Sequence, residues 1–232
     1  MELANKNLNI IKFLGSFAVF VSLFPWVGFN LLDTDSQPWP LIFFTTFLFV
    51  IPKKIVTPKD FYLLILIIII GIIISIFQSN TKFSFLTVRG MYGYISFLII
   101  FIGFYNYLLR YGFPLKLFLV ANFLWLAGGM IELVSPNILE FITPQRTSFG
   151  RGVTSFAPEP SFFAIYLFFS SWIILIAKKY EIDRPTFILL TLNILSFFIL
   201  ARSAMGILYL FISFSFISFY YLFRIRINKK IL

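Results

Sequence analysis

The chain has no cysteine and no histidine. The first absence excludes disulfides, thiolate metal sites and cysteine nucleophiles, and the second removes the commonest general base and metal ligand. Chemistry here is left to carboxylate, arginine, tyrosine and hydroxyl groups, and neither a metal nor a cofactor is expected. Acid is scarce too, with 9 Asp and Glu against 19 Lys and Arg, for a net charge of +10. There is no phosphate-loop motif, heptad run, internal repeat or linker, and charged residues make up only 12% of the chain. In their place stand 34 Phe, a 60% hydrophobic content and a mean hydropathy of +0.95. A soluble domain does not have this composition.

The apolar runs approach the roughly 20 residues that cross a hydrocarbon core of about 30 Å. Backbone groups in lipid need partners within their own segment, and these runs are too long and too uniform for alternating barrel strands. The expected class is therefore all-α, a single polytopic transmembrane bundle over residues 1–232. Proline, glycine and charge divide it into about eight helices, at 11–29, 39–51, 61–78, 89–109, 113–134, 161–177, 186–201 and 204–223. The second is short for a crossing because Pro38, Pro40 and Pro52 frame it. A continuous helix over 186–223 would measure about 57 Å at 1.5 Å per residue, so the chain must turn near Arg202. The run from Phe13 to Phe24 resembles a signal-peptide core, but no A-x-A-like cleavage site follows. It is read as an uncleaved first helix continuing through Trp26 to Phe29.

Orientation follows from the basic residues. With both termini inside, the inner segments hold Lys6, Lys12, Lys53, Lys54, Lys59, Arg110, Lys116, Lys178, Lys179, Arg184, Arg224, Arg226, Lys229 and Lys230. Lys82, Arg89, Arg146, Arg151 and Arg202 remain outside, and 135–160 becomes the main external loop. The positive charge is thus a topology signal aided by anionic inner-leaflet lipid, and nucleic acid is not an expected partner.

All but one of the outer basic residues are arginine, whereas lysine dominates inside. Guanidinium is planar, permanently charged and able to grip phosphate or carboxylate with two donors at once, so Arg89, Arg146, Arg151 and Arg202 form a candidate diphosphate-binding set. The alternative is that they snorkel to headgroups or pair with Glu140 and Glu159. Glu159 lies between Pro158 and Pro160, at or beside the N-cap of the helix that follows. It is a candidate general base or arginine partner, and alternatively a capping residue that orders the loop. Arg202 sits in ILARSAMGILYL, a turn with little polar padding, where a near-membrane arginine marks a functional site. Glu132, near the outer end of the fifth helix, is a further potential partner for these arginines. Gly128 and Gly129 read as close helix packing.

The order RTSFGRG, FAPEPSFFA running into a helix, KKYEIDR, and a helix ending in LARSAMGIL resembles the O-antigen polymerase and O-antigen ligase superfamily of bacterial envelope enzymes. The likeness covers residues 143–210. It implies a metal-independent membrane glycosyltransferase of the bacterial cytoplasmic membrane. Such an enzyme joins repeat units of O-antigen, capsule or exopolysaccharide carried on undecaprenyl diphosphate, at the outer face. Glu159 and Arg202 would be catalytic, and Arg146, Arg151, Arg202 and Arg89 would hold the diphosphate. Other membrane proteins of polysaccharide assembly would be its partners. The ligase branch commonly uses an outer-loop histidine, so the polymerase branch is favoured. Family members usually continue beyond the position of RIRINKKIL, so the chain reads as a truncated member or one part of a site completed elsewhere. Two other classes stay open: a transporter or flippase component for the same lipid-linked oligosaccharide, and an accessory protein.

The absence of native cysteine makes the orientation directly testable. A single cysteine introduced by Ser148→Cys should react with an impermeant maleimide added outside intact cells. Labelling only after the inner face is exposed would reverse the orientation, and with it the location of the arginine-rich loop.

Overall fold

The computed structural model describes residues 2–28, 37–52, 54–59, 61–78, 85–136, 138–139, 141–143, 151–179 and 181–215, without the side chains of 2–7, 75–76, 78 and 85–89. Every regular element among them is an α-helix. These are α1 (Glu2–Ser22), α2 (Trp39–Val50), α3 (Phe61–Gln78), α4 (Phe85–Tyr111), α5 (Leu115–Val134), α6 (Pro160–Ala177), α7 (Arg184–Ile199) and α8 (Ala204–Ser215). Three are long and apolar enough to cross a membrane, namely Gly90–Tyr111 within α4, then α5 and α6. The other apolar helical stretches with described side chains, Leu8–Ser22, Trp39–Val50, Phe61–Ile74, Arg184–Ile199 and Ala204–Ser215, are shorter. The far end expected for the eighth, at Phe223, lies outside the described residues.

Helix α1 differs from expectation at both ends. It starts at Glu2 and stops at Ser22, and the chain then turns through bonds from Leu23 N–H to the Phe20 carbonyl (3.1 Å) and from Phe24 N–H to the Val21 carbonyl (3.0 Å). Pro25 is the reason, since a proline drives the residue before it out of helical geometry and cannot donate to the helix ladder. The apolar run through Trp26 misled because hydrophobicity persists where helical geometry does not.

The chain forms two compact units, Met1–Ala121 and Asn122–Leu232. In the first, Ala18, Val19, Phe44 and Phe47 are completely buried. Gly15 faces the rings of Phe47 and Tyr107, where an added Cβ would lie 2.6 and 2.8 Å from their nearest atoms. Lipid tails are as apolar as side chains, so close approach and polar pairing must hold such helices together. Two pairings do this. Ser16 Oγ and Tyr107 Oη lie 2.9 Å apart between α1 and α4. Asn106, buried on α4, acts as a strand edge for the segment before α3: its Oδ1 accepts Val56 N–H (3.0 Å) and its Nδ2 donates to the Val56 carbonyl (2.8 Å). One turn on, Arg110 donates to Asn106 Oδ1 (3.1 Å) and to the Lys54 carbonyl (3.2 Å).

The second unit is organised around Trp125 of α5, which is fully buried. Tyr166 and Phe163 of α6 stack on its indole with ring centroids 4.3 and 6.0 Å away, and Phe156 meets it edge-on at 5.5 Å. Below this cluster, Asn122 Nδ2 donates to Ser170 Oγ at 2.6 Å, joining α5 to α6. Asn193 Nδ2 donates to Ser171 Oγ at 2.7 Å, joining α7 to α6. Gly206 admits Ala164 of α6, whose Cβ would lie 2.9 Å from one added at the glycine.

The α6–α7 connection is held by charge. Lys178 Nζ lies 2.6 Å from Asp183 Oδ1, and the same carboxylate caps α7 by accepting Thr186 N–H at 3.3 Å. The Lys178 hydrogen bond, followed by those from Thr186, holds the Asp183 carboxyl at about 2 against an ordinary 3.8. The folded-state pKa is depressed, so this stabilisation is complete above 3.8 and disappears as pH falls through about 2. The protection of amides in the first turn of α7, as exchange relative to the intrinsic rate at each pH, should therefore be constant from neutral pH to 3.8 and fall as pH drops toward about 2. Asp183→Asn, which keeps a good cap, should abolish the step. A step of equal size in the asparagine variant would remove Asp183 as its cause.

Candidate functional site

The expected turn near Arg202 exists, and its backbone is unusual. Helix α7 ends with Leu200 and Ala201 both donating to the Ser196 carbonyl, at 3.1 and 2.8 Å, after which Arg202 adopts φ +46° and reverses the chain into α8. A left-handed arginine is uncommon and costs about 1 kcal/mol, so neighbouring bonds must hold it. One such bond comes from the loop before α6, where Val153 N–H donates to the Leu200 carbonyl at 2.9 Å. Beside it, Gly152 sits at φ +142° directly against the Ala201 carbonyl oxygen, and an added Cβ would also lie 2.8 Å from that of Leu200. Only glycine permits both the conformation and the approach.

This contact gathers two of the sequence-predicted residues. Arg151 precedes Gly152, Arg202 follows Ala201, and both side chains are exposed. The backbones of two arginines thus flank one short backbone clamp. Glu159 ends the same loop. It is the N-cap of α6 by backbone (φ −139°, ψ 150°), with Pro160 opening the helix as anticipated. Its carboxylate makes no cap bond to the helix amides and instead accepts Ser161 Oγ at 3.1 Å. The side chain is half-buried. A carboxylate at the positive end of a helix dipole, beside a loop bearing arginine, can accept a proton or orient a cation.

The other two predicted arginines are not brought into this picture. Arg146 lies outside the described residues. Arg89 belongs to the first turns of α4 in the first unit, and its side chain lies outside the described residues as well. Among the described residues no three acidic side chains come together as metal ligands.

The residue that organises the loop is Glu132, which the sequence offered as a partner for arginine. It is 3% exposed near the end of α5. Its Oε2 accepts Thr154 N–H at 2.7 Å and Ser155 N–H at 2.5 Å, while Thr154 Oγ1 lies 3.1 Å from each carboxylate oxygen. Ser155 is held at φ +54° and donates its hydroxyl to the Trp125 carbonyl at 2.7 Å. Gly128 lets this happen, since a Cβ there would lie 2.7 Å from Ser155 Oγ. The legible signal was a lone acid within an apolar helix, but its partners are 22 and 23 residues away.

No family model, curated protein or solved structure matches the chain. The functional reading accordingly rests on these residues and their geometry.

Gly152→Ala tests the clamp. The methyl group meets the Ala201 carbonyl in a conformation L-residues avoid, so the loss should exceed about 1 kcal/mol. It should appear as a lower melting temperature of the detergent-solubilised protein and faster tryptic cleavage at Arg151. Unchanged cleavage and melting would mean that the Gly152–Ala201 approach is dispensable.

Proposed function

We propose that this chain is a metal-independent glycosyltransferase that polymerises oligosaccharide repeat units carried on undecaprenyl diphosphate, at the outer face of a bacterial cytoplasmic membrane. The observation that carries the reading is the Val153–Leu200 backbone bond, which brings the loop that bears Arg151 and ends in Glu159 against the α7–α8 turn that bears Arg202. The segments whose order gives 143–210 its resemblance to the O-antigen polymerase superfamily include Arg151, Glu159 and Arg202.

In this reading the acceptor hydroxyl oxygen attacks the anomeric carbon of the donor, and a new carbon–oxygen bond forms. The bond from that carbon to the diphosphate breaks, its electron pair leaving on the diphosphate oxygen. Arg151 and Arg202, joined by Arg146, neutralise the developing charge. Glu159 takes the proton from the acceptor hydroxyl. A transporter would need anion-binding groups at several depths, and the presence of Arg151 and Arg202 at one end of the second unit favours the enzyme.

Lysine should replace these arginines poorly. A charge that only snorkels tolerates the exchange, whereas a bidentate grip loses a charge-assisted bond at the transition state. That loss is worth about 2 to 4 kcal/mol, or about 30-fold to 1000-fold in rate. Arg146→Lys, Arg151→Lys and Arg202→Lys, matched for abundance, should make little polymer from lipid-diphosphate repeat units. Glu159→Gln, which keeps size but cannot act as a base, should bind donor and fail to extend it. Near-normal polymer from all three lysine variants would remove the diphosphate clamp, and normal chain length from the glutamine variant would remove the base.

A further inference from the structure

The geometry points to Glu132 as the positioning residue of this site, acting through hydrogen bonds to set Arg151 beside Arg202. The assignment rests on the proposed function only for what the two arginines hold. Its structural half stands on the loop itself.

Residues 152–155 are pinned at successive positions. Val153 is tied to the end of α7 by its bond to Leu200, and Gly152 lies flat against the same turn. Thr154 and Ser155 are tied to α5, their amides converging on one oxygen of Glu132 and the Ser155 hydroxyl reaching the Trp125 carbonyl. Two successive N–H groups around a carboxylate form an anion-binding nest, filled here by the protein's own side chain. Thr154 and Ser155 are buried, and without an acceptor their amides would draw the segment toward water. Arg151 is next to Gly152, so movement there shifts the point from which its side chain starts. Glu132 itself is buried beneath the loop, which separates its role from that of the exposed arginines.

The bonding pattern makes an uncommon demand. Both amides use the same oxygen, and the other oxygen meets a hydroxyl that can donate or accept. Glutamine fits, with its oxygen taking the two amides and its NH2 group donating to Thr154 Oγ1. Aspartate keeps the charge but falls one methylene short. A residue needed for its charge or as a base would rank aspartate above glutamine, and a positioning residue ranks them the other way.

The native chain has no cysteine, so Arg151→Cys with Arg202→Cys provides a proximity probe for a short bis-maleimide. The cross-linking rate is measured in membranes at matched abundance, with residue 132 varied. Glu132→Gln should cross-link nearly as fast as the parent pair. Glu132→Asp should be slower, and Glu132→Ala slower by about tenfold, as the loss of charge-assisted bonds to buried amides shifts the loop population. Should the alanine variant fail to accumulate, the glutamine and aspartate order decides. Equal rates in all variants, or aspartate faster than glutamine, overturn the assignment. Polymer formation by the single Glu132 variants, with both arginines present, separates this from the functional reading. Cross-linking lost in Glu132→Ala with polymer unchanged would uphold the positioning role and remove the arginine pair from the reaction.

Discussion

A polar group without water must find its partner inside the protein, and the arrangement of this chain follows from that constraint. At two places where the backbone is not helical, a side chain from a neighbouring helix supplies the missing bond. Asn106 supplies it for Val56 in the first unit, and Glu132 for Thr154 and Ser155 in the second. Both are buried residues on long helices, and both replace the regular partner that a non-helical segment lacks. Removing the Glu132 carboxylate would leave the buried amides of Thr154 and Ser155 unsatisfied, at a cost of about 1 to 3 kcal/mol for each group.

The same constraint explains why strain gathers around the candidate site. Gly152, Ser155 and Arg202 all have positive φ, and each is adjacent to a bond or close approach that ties the loop to α5 or α7. A loop of ordinary conformation would satisfy its amides without these neighbours. Here the bonds to Glu132, Trp125 and Leu200 determine the conformation, and they persist because helices that are themselves packed hold them in place.

Packing among the helices relies on aromatic surface and a few polar pairs. Trp125 supplies the broad contact, and the Asn122–Ser170 and Asn193–Ser171 bonds supply direction across α5, α6 and α7. In lipid, polar pairs of this kind contribute about 0.6 to 2 kcal/mol each. They are not fully satisfied: Asn122 Oδ1, Asn193 Oδ1 and the Tyr166 hydroxyl are buried with no hydrogen-bond partner among the described residues. What these atoms contribute is therefore specificity of helix pairing more than net stability.

Composition and punctuation alone determined that the chain is helical and membrane-like, where α3, α5 and α6 lie to within two residues, and that it turns at Arg202. Period and proline placement report these local properties directly. They also marked Glu159 as at or beside an N-cap, and Arg89, Arg146, Arg151 and Arg202 as a group to set apart from the lysine-rich segments. They did not show that α1 ends before Pro25, because an apolar run looks the same in a helix and in a turn. Nor could they show that the loop bearing Arg151 meets the turn bearing Arg202, or that Glu132 holds the loop amides of Thr154 and Ser155. Val153 and Leu200 are far apart in sequence, and their bond exists only because α5, α6 and α7 bring those ends together. A hydrogen bond between distant segments leaves no periodicity in either one, so it was the tertiary structure that decided the site.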